Sequence, residues 1–152
     1  MIPNLKTLVM SAVVGLALGA SAGGGVAKDD VAQIDLANLE GTWVRELDGK
    51  TYIFHFNGEK FASLSEFAEG ITTTTGRFTI DPTTQPKHID FTFNEGTGRG
   101  EKLKGKTALN IYQLDGDTLQ ICARRPLGRC AEFPSTEITE GEYIYLVLKR
   151  AR

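Results

Sequence analysis

The chain has 152 residues, 41% of them hydrophobic and 24% charged, with a formal net charge of −2 and two cysteines. A mildly acidic chain gives no electrostatic reason to bind nucleic acid or anionic lipid, and this length suits a single domain with a real core. The composition is that of an ordinary globular protein, so function has to be sought in pattern and spacing.

The chain opens with the pattern of a secretory signal. Lys6 is followed by an apolar run from Thr7 to about Leu18, and small residues follow at 19–25. A short basic n-region, an apolar h-region and a small-residue cleavage site are the marks of an export signal. The run is too short to span a bilayer and glycines interrupt it. Residues 1–22 are therefore expected to be a signal peptide, with cleavage as late as 27 as the alternative. No cysteine follows the apolar run, which disfavours a lipid anchor. Lys6 is the only charged residue before Lys28, so the mature chain would be slightly more acidic. The expected location is periplasmic or extracellular, with no membrane span after cleavage, and residues 30–150 form the domain.

Residues 30–40 read as a short helix. Asp30 and Gln33 have capping-box spacing, Val31, Ile34 and Leu39 supply an apolar stripe, and Gly41 is a natural stop. Beyond Gly41 the period changes to two. Tyr52, Phe54 and Phe56 alternate with Thr51, Ile53 and His55. The same pattern recurs at Ile89, Phe91 and Phe93, at Leu109 and Ile111, at Leu119, Ile121 and Ala123, and at Ile144, Leu146 and Leu148. Strict alternation of this kind predicts half-buried strands. Asp48-Gly49, Asn57-Gly58 and Asp115-Gly116 supply the turn chemistry of tight hairpins. Eight or nine sequential antiparallel strands are expected, and closing them into an up-and-down barrel hides their edges.

Gly41-Thr42-Trp43, after a short helix and opening the first strand, resembles the Gly-x-Trp signature of lipocalin and calycin barrels. Pro86-Lys87-His88-Ile89-Asp90-Phe91-Thr92-Phe93 and Ile111-Tyr112-Gln113-Leu114-Asp115-Gly116-Asp117-Thr118-Leu119 resemble two signature blocks of a planctomycete family of uncharacterised lipocalin-like domains. Leu146-Val147-Leu148-Lys149-Arg150 fits that family's last strand, although Asn110 stands where it usually has glycine. The resemblance implies an exported, lipocalin-like β-barrel and no established activity. It also implies that Arg150, on the inward row of the last strand, lies over Trp43 as a structural plug at the closed end, a cation–π contact.

Few residues offer chemistry. His55 and His88 lie on separate strands, opposite the aromatic faces, and Asp90 shares the parity of His88, so no metal site or catalytic triad is expected. No cofactor motif is present and no enzyme activity is expected. Cys122 and Cys130 are equidistant from Pro126, in the turn Arg125-Pro126-Leu127-Gly128. On a hairpin both would face outward while Ala131 and Phe133 point in, so a cross-strand disulfide is expected over two free thiols. Lys102, Lys104 and Lys106 read as one face of a strand, either an anion-binding stripe or a solvated face. Arg124, Arg125 and Arg129 crowd the cysteine hairpin, whose tip is the alternative surface for contact with a partner protein. Thr72 to Thr75 suggests a strand and no chemistry.

The inward row is the one remaining candidate site. Tyr52, Phe54, Phe56, Phe91, Phe93, Ile111 and Leu146 either fill the barrel solidly or line a cavity for a small apolar ligand. The alternative function is a protein-interaction module, such as an inhibitor of a secreted hydrolase, presenting its cysteine hairpin.

Overall fold

A computed structural model describes residues 27–152. The signal expected at residues 1–22 lies outside the described residues, as does all but the last residue of the alternative cleavage region. A helix α1 (Lys28–Leu39) leads into strands β1 (Gly41–Leu47), β2 (Lys50–Asn57), β3 (Lys60–Phe67), β4 (Gly70–Asp81), β5 (Lys87–Thr97), β6 (Thr107–Asp115), β7 (Thr118–Arg124), β8 (Gly128–Arg129) and β9 (Tyr143–Arg150). A 3-10 segment, Gly98–Leu103, joins β5 to β6. Each strand from β1 to β7 pairs antiparallel with the next, β7 pairs with β9, and β9 returns to β1. The result is a closed barrel of eight antiparallel strands, with β8 as an extra strand paired to β7. Closure leaves the barrel without a free long edge.

The tight turns are where the dipeptides predict them. Gly49, Gly58 and Gly116 have φ values of +72°, +61° and +56°, a region that glycine enters without steric cost. Gly41 has φ +110°, and a Cβ there would meet the Arg150 guanidinium at 3.4 Å. Glycine is thus required where the helix hands over to β1, directly beneath the plug.

The helix differs from expectation. It begins at Lys28 with Ala27 as its N-cap and no side-chain cap, so Asp30 sits in the first turn rather than capping it. Ile34 is 54% exposed, while Asp35 and Leu39 are buried. The buried stripe contains an acid because the barrel supplies its partners. Tyr112 donates its hydroxyl to Asp35 Oδ2 at 2.6 Å, and Lys87 Nζ meets the same oxygen at 2.8 Å.

Two apolar cores result. The interior holds Trp43, Phe56, Phe61, Phe78, Ile89 and Phe91 among others. A smaller one lies on the outer surface of the barrel, where Ile111, Cys122, Cys130 and Tyr145 pack with Phe133, Tyr143 and Val147. Phe133 packs on that surface and Ile138 bridges to Tyr145, while the buried disulfide Cys122–Cys130, with a Cα separation of 6.2 Å, ties the start of this segment to β7.

This outer core overturns one expected row. On β6 the inward residues are Ala108, Asn110 and Tyr112, whereas Leu109 is 37% exposed and Ile111 belongs to the outer core. Phe133, expected to point in, also packs outside. Lys102, Lys104 and Lys106 do not form a strand face. They are exposed residues of the 3-10 segment and the loop after it, and Lys104 pairs with Glu95 at 3.2 Å.

Candidate ligand cavity

The barrel has a closed end and an open one. At the closed end α1 packs across the strand ends, and Trp43 and Leu39 are fully buried. The Trp43 indole donates to the Leu39 carbonyl at 2.8 Å. The Arg150 guanidinium lies 4.2 Å from the indole centroid. It donates at 2.6 Å to the carbonyls of Glu40 and Asn38, and at 3.0 Å to Asp117. Those carbonyls are orphans of the helix end, so one cation stacks on the ring and caps the helix together. Beside it, burial first and the Asp35 hydrogen bond second push the Tyr112 hydroxyl well above its ordinary value.

Next to the plug the aromatic rings meet. Phe56, Phe61, Phe78 and Phe91 pack at centroid separations from 4.8 to 6.3 Å. Phe54 and Phe93 extend this cluster toward the open end, at 5.9 Å from Phe91 and 5.7 Å from Phe61.

Above the rings the interior is hollow. A cavity of about 750 Å³ opens at the loop end. Tyr52 and Phe54 of β2, Phe61 of β3, and Phe91 and Phe93 of β5 form its aromatic floor and side. Ile121 and Ala123 of β7 and Ile144 and Leu146 of β9 form an aliphatic wall. Of the residues expected to line a ligand site, Tyr52, Phe54, Phe91, Phe93 and Leu146 border this cavity. Phe56 does not, because it is 1% exposed and packed deeper in the ring cluster. Ile111 does not, because it faces outward.

Sequence reasoning missed the polar lining. Ser63 and Ser65 of β3 and Thr72 and Thr74 of β4 all line the cavity. They are cross-strand partners, Ser63 opposite Thr74 and Ser65 opposite Thr72, and the Ser63 and Thr74 hydroxyls are 2.6 Å apart. Asn110, also buried, adds an amide from β6. The available signal was parity. Ser63 and Ser65 continue the inward row that begins at Phe61, and the threonine run contributes every second residue.

The charged lining residues are Lys50, Glu69, Arg99, Arg125 and Glu140. Lys50 opens β2, and the others come from the turns and loops of the open end. Lys50 meets Glu140 at 2.8 Å and Arg99 meets Glu69 at 3.3 Å, while the Arg99 guanidinium lies 5.2 Å from the Phe67 centroid. The Lys50 hydrogen bond lowers the Glu140 carboxyl's pKa, and the same bond raises that of the lysine. Arg125 donates to the Thr139 carbonyl at 2.6 Å and is in no ion pair among the described residues.

One side of the mouth is a patched seam. β1 and β9 pair only at Trp43–Arg150 and Val44–Lys149. Beyond that point Glu137 bridges them, accepting from Arg45 Nε at 2.9 Å and from the Val147 amide at 2.6 Å. This anchors the segment that brings Thr139, Glu140 and Gly141 to the cavity.

The histidines lie away from it. His55 is exposed and bonds Thr42 Oγ1 at 2.9 Å, and His88 is on another strand, half-buried. Asp90 faces outward and pairs with Arg129 at 2.8 Å, so Arg129 lies along the barrel wall rather than at a free tip. No group of three metal-ligating side chains occurs among the described residues. No family model, curated protein or solved structure matches the chain.

Proposed function

We propose that the chain is an exported, non-enzymatic binding barrel of the lipocalin-like kind, and that it holds one small, largely apolar molecule in the cavity at its open end. One observation carries this reading: a hollow of about 750 Å³ above a packed aromatic floor. Small-molecule sites are usually concave, mostly apolar and largely preformed, with volumes of roughly 300–1,000 Å³. The signal-like residues 1–22 and the Cys122–Cys130 disulfide support export. The Gly41-Thr42-Trp43 motif and the two sequence blocks support the planctomycete lipocalin-like kinship.

The alternative of a hydrolase inhibitor has no observation of its own. The hairpin that would present itself is folded onto the mouth, where Leu127 packs against the core and Arg124 pairs with Glu142 at 2.6 Å. Native mass spectrometry of protein purified from its own host tests the proposal, alongside a panel of apolar fluorescent probes. A co-purifying small molecule, or saturable binding of a probe, is the expected result. A bare mass together with no probe response would overturn it.

A further inference from the structure

The cavity is two-faced, and its faces constrain the ligand. The hydroxyls of Ser63, Ser65, Thr72 and Thr74 occupy β3 and β4. Around the eight-strand ring, β7 and β9 stand opposite them with the aliphatic wall. Two hydroxyls that bond each other still have a donor and lone pairs free. A bare alkyl chain laid over this wall would strip water from those groups and offer nothing back. A molecule with oxygens along one edge would pair with them while its other edge met Leu146 and Ile121.

The mouth adds a charge preference. Three cations and two carboxylates stand there, in a chain whose overall charge is negative. Both carboxylates are already paired, whereas the Arg125 guanidinium hydrogen-bonds only a backbone carbonyl and acts on Glu140 through space without pairing with it. Its remaining donors suit a carboxylate.

From these two features, and resting on the ligand-binding reading above, we infer that the ligand class is a facially amphipathic carboxylate. Its oxygenated edge lies on the β3–β4 hydroxyls, its apolar edge lies on β7 and β9, and its carboxylate sits at Arg125.

Competition against a neutral apolar reporter, N-phenylnaphthylamine, tests this with the mature chain. The competitors, all below micellar concentration, are cholate, its neutral amide, and dodecanoate. Cholate has a hydroxylated face and a carboxylate, the amide lacks the charge, and dodecanoate lacks the hydroxyls. Cholate should displace the reporter at concentrations about tenfold lower than either of the others, the scale of one charge-assisted or one buried hydrogen bond. Arg125→Gln should bring cholate and its amide within about twofold of each other. The double variant Ser63→Ala, Thr74→Val should close the gap to dodecanoate, with an unchanged far-UV circular dichroism spectrum and a cooperative urea transition as the check on folding. Equal displacement by all three competitors, or by none, with the reporter still bound would overturn this inference and leave the cavity reading standing. Failure of the reporter to bind the unaltered chain would remove both.

Discussion

At the helix-covered end of the barrel, Trp43, Leu39 and Phe56 are almost wholly buried, and Asp35, Lys87 and Arg150 each meet a partner within 3.0 Å. At the loop end the same inward rows continue through Tyr52, Phe54 and Phe93, yet these rings border open space. The difference teaches how a small barrel can be hollow and still fold. Helix, plug and ring cluster concentrate the packing at one end, so the other end can forgo it. An interior that is close-packed throughout would leave no room for a ligand.

Truncating one ring at each end breaks this comparison most sharply. Phe56→Ala removes a ring packed on all sides and should cost about 3–5 kcal/mol in urea unfolding. Phe54→Ala, on the same strand but bordering the cavity, should cost less than half as much, since the void it enlarges already exists. Equal losses would mean that the two ends are packed alike.

The outer core comes next. Reducing the disulfide opens a short loop and should cost about 2–3 kcal/mol on the chain-entropy account. Intact mass after alkylation checks the bond itself, since a chain that takes up two alkyl groups without reductant would have no such disulfide. Arg150→Ala takes away the ring contact and the cap on Glu40 and Asn38, and should cost about 2 kcal/mol. An unmoved melting temperature would remove the plug from the account.

Tyr112→Phe is a smaller perturbation with a distinctive pH signature. It should cost about 1–2 kcal/mol at neutral pH through the lost bond to Asp35. Burial raises the folded-state pKa of this phenol above its ordinary value near 10. Its contribution is therefore fully present below pH ~10 and is lost as the pH climbs beyond it, because the unfolded chain then ionises first. The variant should show a shallower alkaline decline in stability, measured by urea unfolding across that range.

Much of the architecture was legible in the chain. The rows of β2 and β5 could be assigned to faces because one side of each is mainly apolar and the other mainly polar. β6 could not, because Ile111 and Tyr112 are buried on opposite faces, one under the outer core and one beside Asp35. Alternation loses its meaning when both sides of a strand are covered. The candidate site was half legible for a related reason. Aromatic residues announce an interior, but a hydroxyl wall reads as a solvent face until the barrel closes around it. Thr72 to Thr75 read as a strand without chemistry for that reason. Arg125 likewise read as part of a charged tip, because nothing local to residues 124–129 reveals that the hairpin lies over the mouth.

The most direct test of the hollow end is to fill it. Leu146 lines the cavity on β9, and Leu146→Trp would place an indole in that space. Titration with N-phenylnaphthylamine should give saturable, one-to-one binding to the unaltered chain and none to the filled variant, with the melting temperature held or raised. An unaltered chain that does not bind, or a filled variant that binds just as well, would contradict the account.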